Sequence, residues 1–97
     1  MAEFRVSRAA RRDIEEIGRY TQEEWGAEQR RKYLAGLDDQ LHKIAASPLT
    51  AAERAEFTPP VRLYPFGKHM IVYLTDETGV LIVRILHNRM DILSHLE

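Results

Sequence analysis

The sequence predicts an α+β fold in which an N-terminal strand and an antiparallel helical hairpin pack on a three- to four-stranded antiparallel sheet. Three observations carry this expectation. The run 70–89, MIVYLTDETGVLIVRILHNR, reads as two long strands joined by a tight turn. Upstream, apolar residues recur at helical spacing in two stretches separated by Gly26. Between these regions, Val61-Arg62-Leu63-Tyr64 has the alternation of a strand and leads through Pro65-Phe66-Gly67 into the long hairpin. A chain of 97 residues has material for one domain, spanning 1–97, with a single modest core.

Each element follows from local chemistry. Glu3-Phe4-Arg5-Val6 alternates polar and apolar residues as an edge strand, and Ser7 is an N-cap residue. From Arg8 the positions Ala10, Ile14, Ile17 and Thr21 share one helical face, with Trp25 at its end as an aromatic plug for the hairpin apex. Gly26 stops this helix, because glycine tolerates the left-handed backbone found just past helix ends. The second helix carries Tyr33, Leu34, Leu37, Leu41 and Ile44 on its apolar face, and Ser47-Pro48 ends it. So short a connection makes the helices antiparallel, with both stripes free to pack on the sheet. Residues 49–60, LTAAERAEFTPP, have weak periodicity and read as a connecting loop. Met70 to Thr75 and Val80 to Leu86 are rich in β-branched residues, with Asp76-Glu77-Thr78-Gly79 as the turn between them. Arg84 interrupts the last apolar run and needs a solvated face or a partner, since an unpaired buried charge costs several kcal/mol.

Composition excludes several classes of function. With 44% hydrophobic and 30% charged residues the chain folds rather than staying disordered. A net charge of -1 is not the strongly basic balance of a generic nucleic-acid binder, although residues 1–12 hold four arginines against one acid. The absence of cysteine excludes a disulfide scaffold and a thiolate metal site. Histidines at 42, 69, 87 and 95 show no ligand spacing, so no metal or other cofactor is expected. No stretch approaches the roughly 20 apolar residues needed to span a bilayer, and the expected location is the cytoplasm.

After Leu86 the character changes abruptly to the polar hook His87-Asn88-Arg89-Met90-Asp91. The order strand, helix, helix, three strands, with RILHNRMDI at the end, resembles the RelE/ParE superfamily of type II toxins and is most similar to its ParE branch. The resemblance runs through the Ala/Arg-rich start of the first helix, the Trp25-Gly26 break, Val61-Arg62 before the Gly67 turn, Ile71-Val72-Tyr73 and Val83-Arg84-Ile85-Leu86-His87. It implies a toxin neutralised by a ParD-like antitoxin, with one of two activities. ParE-like members block DNA gyrase, whereas RelE-like members are ribosome-dependent mRNA endonucleases acting on ribosome and mRNA together.

A metal-free nuclease needs a base for the 2′-hydroxyl and cations for the phosphate. Its candidates here are His87 as base with Arg62, Arg84 and Arg89 as clamps. Residues 61–97, however, hold four Lys/Arg against four Asp/Glu, less basic than a grip on ribosomal RNA requires, which favours the gyrase reading. Under that reading Arg84, His87, Arg89 and Asp91 contact the target and no residue is catalytic. Each also has a plain alternative: Arg84 snorkels to pair with Asp91 or Glu77, His87 makes a structural hydrogen bond, and Arg89 with Asp91 forms a local ion pair worth under about 1 kcal/mol. The arginines at 8, 11 and 12 oppose the helix dipole and either form a solvated face or meet an acidic partner. The antitoxin is expected to fold a disordered C-terminal segment over an exposed apolar groove lined by Tyr20, Tyr33, Leu37 and Phe57.

Overall fold

The computed structural model describes residues 3–87. Strand β1 is Phe4–Val6, followed by helices α1 (Arg8–Trp25) and α2 (Ala27–Ala46), and then by strands β2 (Glu53–Arg54), β3 (Val61–Phe66), β4 (His69–Asp76) and β5 (Gly79–His87). The strands form one sheet in the order β1-β5-β4-β3-β2. Both helices lie where the periodicity puts them. Ser7 Oγ accepts from the Ala10 N–H at 3.0 Å, satisfying one of the orphan donors at the start of α1. Gly26 has φ 93° and donates to the Gln22 carbonyl at 2.9 Å, closing α1 as the next residue opens α2.

Three expectations are corrected. The sheet has five strands rather than three or four, because Glu53 and Arg54, in the stretch read as a loop, pair with Arg62 and Val61. Two residues are too few to leave a periodic signal. Strand β1 runs parallel to β5, Phe4 opposite Val80 and Val6 opposite Ile82, so the sheet is mixed. Alternation marks a strand without giving its direction, which depends on how the helical hairpin returns the chain to the sheet. Trp25 is no plug: it is 68% exposed, since all residues from 22 to 32 are exposed on a hairpin apex that projects past the sheet.

The core is the layer between helices and sheet. Ala10 and Ile17 from α1 and Leu37, Leu41 and Ile44 from α2 meet Ile71, Tyr73, Val80, Ile82 and Ile85. Tyr73 is fully buried and its hydroxyl donates to the Pro48 carbonyl at 2.8 Å, which ties the end of the helical layer to the sheet. Adjacent strand residues point to opposite faces, and Val72 and Leu86 accordingly join Phe57 and Val61 in a second, smaller cluster. One irregularity interrupts the hairpin: Tyr73 pairs with Ile82 but Val72 pairs with Arg84, so Val83 is an extra residue on β5.

The outer edge of β5 outruns the three-residue β1, and side chains continue the pairing. The Ser7 N–H donates to the Ile82 carbonyl at 3.0 Å and Ser7 Oγ donates to the Val83 carbonyl at 2.7 Å. Asp13 of α1 then accepts the Ile85 N–H at 2.9 Å and holds the Arg84 guanidinium at 2.8 and 3.0 Å. Arg84 therefore pairs with an acid 71 residues away, not with Glu77 in the neighbouring turn; Asp91 lies outside the described residues. At the far end of the hairpin, Arg5 bridges Asp76, whose carboxyl also accepts from the Thr78 N–H and hydroxyl. The hydrogen bonds from Arg5 and then Thr78 pull its pKa from 3.8 to about 2. A depressed carboxyl pKa contributes stability above the unfolded value and loses it as pH falls through the folded one. The urea midpoint of Asp76→Asn is expected to lie below that of the parent protein at pH 7, and the two are expected to converge between about pH 4 and pH 2.

Candidate functional site

Where the helical hairpin overhangs the β3–β4 turn, its two helices and the ends of β4 and β5 leave a groove of about 570 Å³. Tyr20, Thr21 and Trp25 of α1 and Gln29 and Tyr33 of α2 form one side. Gly67, Lys68, His69 and His87 form the other. A smaller cavity of about 330 Å³ shares Tyr20, His69 and His87 with it and reaches Asp13, Glu16 and Ile85 along α1. Tyr20 and Trp25 are large apolar side chains left 61% and 68% exposed, so this region joins a concave shape to an aromatic rim, a combination typical of recognition surfaces.

The floor of the groove is built by close packing. Tyr33 reaches from α2 to the turn, where its hydroxyl stands 3.3 Å from the Phe66 carbonyl and 2.7 Å from His69 Nδ1. Burial raises the pKa of this phenol. Gly67 has φ 55°, and a Cβ there would sit 2.5 Å from the Tyr33 hydroxyl, so both the turn and the tyrosine require glycine. His69 and His87 are directly opposed on β4 and β5, their ring centroids 5.5 Å apart. Burial, and then the proximity of His87, lower the His69 pKa while Asp13 opposes the shift, so His69 is neutral at neutral pH.

The structure sorts the sequence candidates unevenly. Tyr20, Tyr33 and His87 meet in the groove. Leu37 does not line it: at 2% exposure it is core, because its place on the α2 stripe faces the sheet. Phe57 is also buried, in the cluster with Val61, Val72 and Leu86 rather than in the helix–sheet layer that borders the groove. Arg62 pairs in register with Tyr73, four residues along β4 from His69 and roughly 13 Å away at the strand rise. Its guanidinium donates to the Ala51 carbonyl, and its Nε is buried without a partner among the described residues. Arg84 is bound by Asp13. Arg62 is thus placed away from His87, the Arg84 guanidinium is held by Asp13, and Arg89, Asp91 and His95 lie outside the described residues.

Sequence reasoning overlooked His69 as a neighbour of His87 and Trp25 as a rim residue. Counting back from the Asp76–Gly79 turn places His69 opposite Leu86; only the extra residue Val83 moves it opposite His87. Asp13, which grips Arg84, stands on the border of the apolar stripe of α1, one residue before Ile14, and that is the only signal it leaves.

The chain matches the family described as the ParE toxin of the type II toxin-antitoxin system parDE over residues 4–92. It belongs to the ParE toxin family. Toxin ParE of Escherichia coli is 34% identical over 98 residues, covering 99% of this chain and 94% of that protein. Toxin ParE1 of Mycobacterium tuberculosis is 34% identical over 90 residues, 92% of each chain. Toxin ParE1 of Caulobacter vibrioides is 30% identical over 96 residues, 99% of each. Among solved structures, a chain of the chromosomal ParDE toxin-antitoxin system from P. aeruginosa superposes with a TM-score of 0.75 at 19% identity, covering 90% of this chain and 96% of that one. As a ParE toxin this chain is the toxin component of a type II system whose partner is an antitoxin, and it shares the fold of that chain from the ParDE system.

Proposed function

We propose that this toxin inhibits DNA gyrase in the cytoplasm as a protein ligand rather than as an enzyme, and that a ParD-like antitoxin neutralises it by filling the aromatic groove. The observation that carries the target reading is the engagement of Arg62 and Arg84. A nuclease would need these guanidiniums as phosphate clamps beside His87, yet one is turned to the Ala51 carbonyl and the other is bound by Asp13. Inhibition by docking asks nothing of that kind, only an exposed surface. The antitoxin reading is supported by Tyr20 and Tyr33 sharing a groove with His87, so that one peptide laid there covers the start of the polar hook.

The test is a supercoiling assay with purified gyrase. Added toxin is expected to reduce supercoiling at micromolar concentration, and the cognate antitoxin to restore it. Undiminished supercoiling at micromolar excess eliminates the gyrase reading. New 5′ ends in translated mRNA from toxin-expressing cells, lost with His87→Ala, would transfer the assignment to the ribosome-dependent nuclease.

A further inference from the structure

Helix α1 carries its charges against its own dipole. Aligned peptide dipoles make a helix start positive and its end negative, so acids are stabilising in the first turn and bases in the last. In α1 the first turn holds no acid and the last turn no base. Arg8 and Arg11 stand at the start with Arg12 just after them, and Glu23 and Glu24 stand near the end. The arginines are spaced i, i+3 and i+4, which sets them on one face with Cβ atoms about 5–6 Å apart, where like charges repel. All three are exposed, and among the described residues none has a partner for its guanidinium. A local rule broken without a compensating contact inside the chain is the mark of a functional surface.

The patch is small and bounded. Arg5, two residues before the Ser7 cap, spends its charge on Asp76. Glu15 and Glu16 follow one turn beyond Arg11 and Arg12, so a phosphate backbone carried along the helix would leave the arginines only to meet two carboxylates. With a net charge of -1, the molecule supplies no broad positive field to hold such a polyanion. A few carboxylates on a protein segment fit the patch better, since each guanidinium presents a fork of N–H donors that a carboxylate accepts in pairs.

The patch is continuous with the groove. Tyr20, Glu16 and Arg12 stand in one row along α1 at intervals of four residues. Tyr20 is on the groove rim, and the smaller cavity continues from it along Glu16 and Asp13. From Tyr20 to Arg12 the row spans about 12 Å at the helical rise, which about four residues of extended chain or about eight of helix cover. We propose that the antitoxin segment lying in the aromatic groove continues along α1 and sets acidic residues over Arg8, Arg11 and Arg12. This rests on the groove being the antitoxin site. Glu16 repels an acid placed midway, so the carboxylates belong at that full distance from the part that contacts Tyr20. Exposed charges of this kind set the rate and register of association more than its final strength.

The test is stopped-flow association of the full chain with dye-labelled cognate antitoxin over a range of salt concentrations. Combining Arg8→Gln, Arg11→Gln and Arg12→Gln is expected to slow association about tenfold at low salt and to change dissociation by less than about twofold. The difference is expected to vanish at about 1 M salt, where screening reaches about 3 Å. The same variant is expected to melt no lower than the parent, because it removes cations from a helix start, so a folding defect does not imitate the kinetic effect. Lys43→Gln, exposed near the end of α2, is expected to leave the rate within about twofold. Unchanged association and salt dependence in the triple variant overturn the proposal. So does retardation of duplex DNA by the parent toxin that the variant loses, which gives the patch to nucleic acid. Loss of gyrase inhibition with antitoxin association intact overturns it as well, by giving the patch to the target. Tyr20→Ala keeps the two readings apart: if it weakens antitoxin binding while the arginine variant behaves as the parent, the groove stands and only the arginine contact falls.

Discussion

Asp13→Ala is expected to destabilise the protein by about 3 kcal/mol, measured as the change in urea unfolding free energy at pH 7. The carboxylate does two jobs at once: it accepts the Ile85 N–H where β1 no longer covers the edge of β5, and it neutralises Arg84. The pair is mostly buried, with side-chain exposures of 15% for Asp13 and 23% for Arg84. Removing the acid takes away the carboxylate that both the Arg84 guanidinium and the Ile85 N–H use in a part-buried place, and groups that lose an acceptor there bear part of their desolvation cost. Arg84→Met alone is expected to cost less, and Asp13→Leu combined with Arg84→Met to recover part of the loss, because an apolar pair of similar volume often replaces a buried ion pair without penalty. A loss under about 1 kcal/mol for Asp13→Ala would mean that water, or some other group, takes over both contacts.

Leu37→Ala and Tyr20→Ala are expected to separate stability from recognition. Leu37 is enclosed by the helix–sheet core, so its truncation leaves a cavity and costs about 3 kcal/mol in unfolding free energy. Tyr20 is 61% exposed on the groove rim, and its truncation is expected to change stability by less than about 0.5 kcal/mol. Antitoxin affinity is expected to respond in the opposite order. Tyr20→Ala should weaken binding by about tenfold or more, as aromatic anchors in recognition grooves do. A calorimetric titration of each folded variant with the cognate antitoxin decides this, and unaltered affinity for Tyr20→Ala would remove the groove from the antitoxin interface.

The groove was half legible in advance. Tyr20 and Tyr33 were readable as its aromatic lining, since both sit beside apolar stripes that the core cannot wholly absorb. Leu37 was misplaced because periodicity says that a residue is on an apolar face but not whether that face ends in the core or at a rim, and Phe57 because the weakly periodic stretch 49–60 carries no signal of which face it joins. Trp25 erred in the other direction, an aromatic residue at a helix end that meets no sheet because the apex overhangs it. Arg84 was correctly read as a charge in need of a partner, while Asp13, in another element 71 residues earlier, left no signal beyond its place on the border of the α1 stripe.

Local chemistry alone determined the helix limits at Ser7, Gly26 and Ser47, the hairpin turn at Asp76–Gly79 and the composition of the core stripes, because each rests on contacts between residues close in the chain. Tertiary structure decided the parallel direction of β1, the pairing of Asp13 with Arg84 and the meeting of His69 with His87. Those features depend on how distant segments are brought together, and in the last case on one extra residue, Val83, that shifts the register of two strands by a single step.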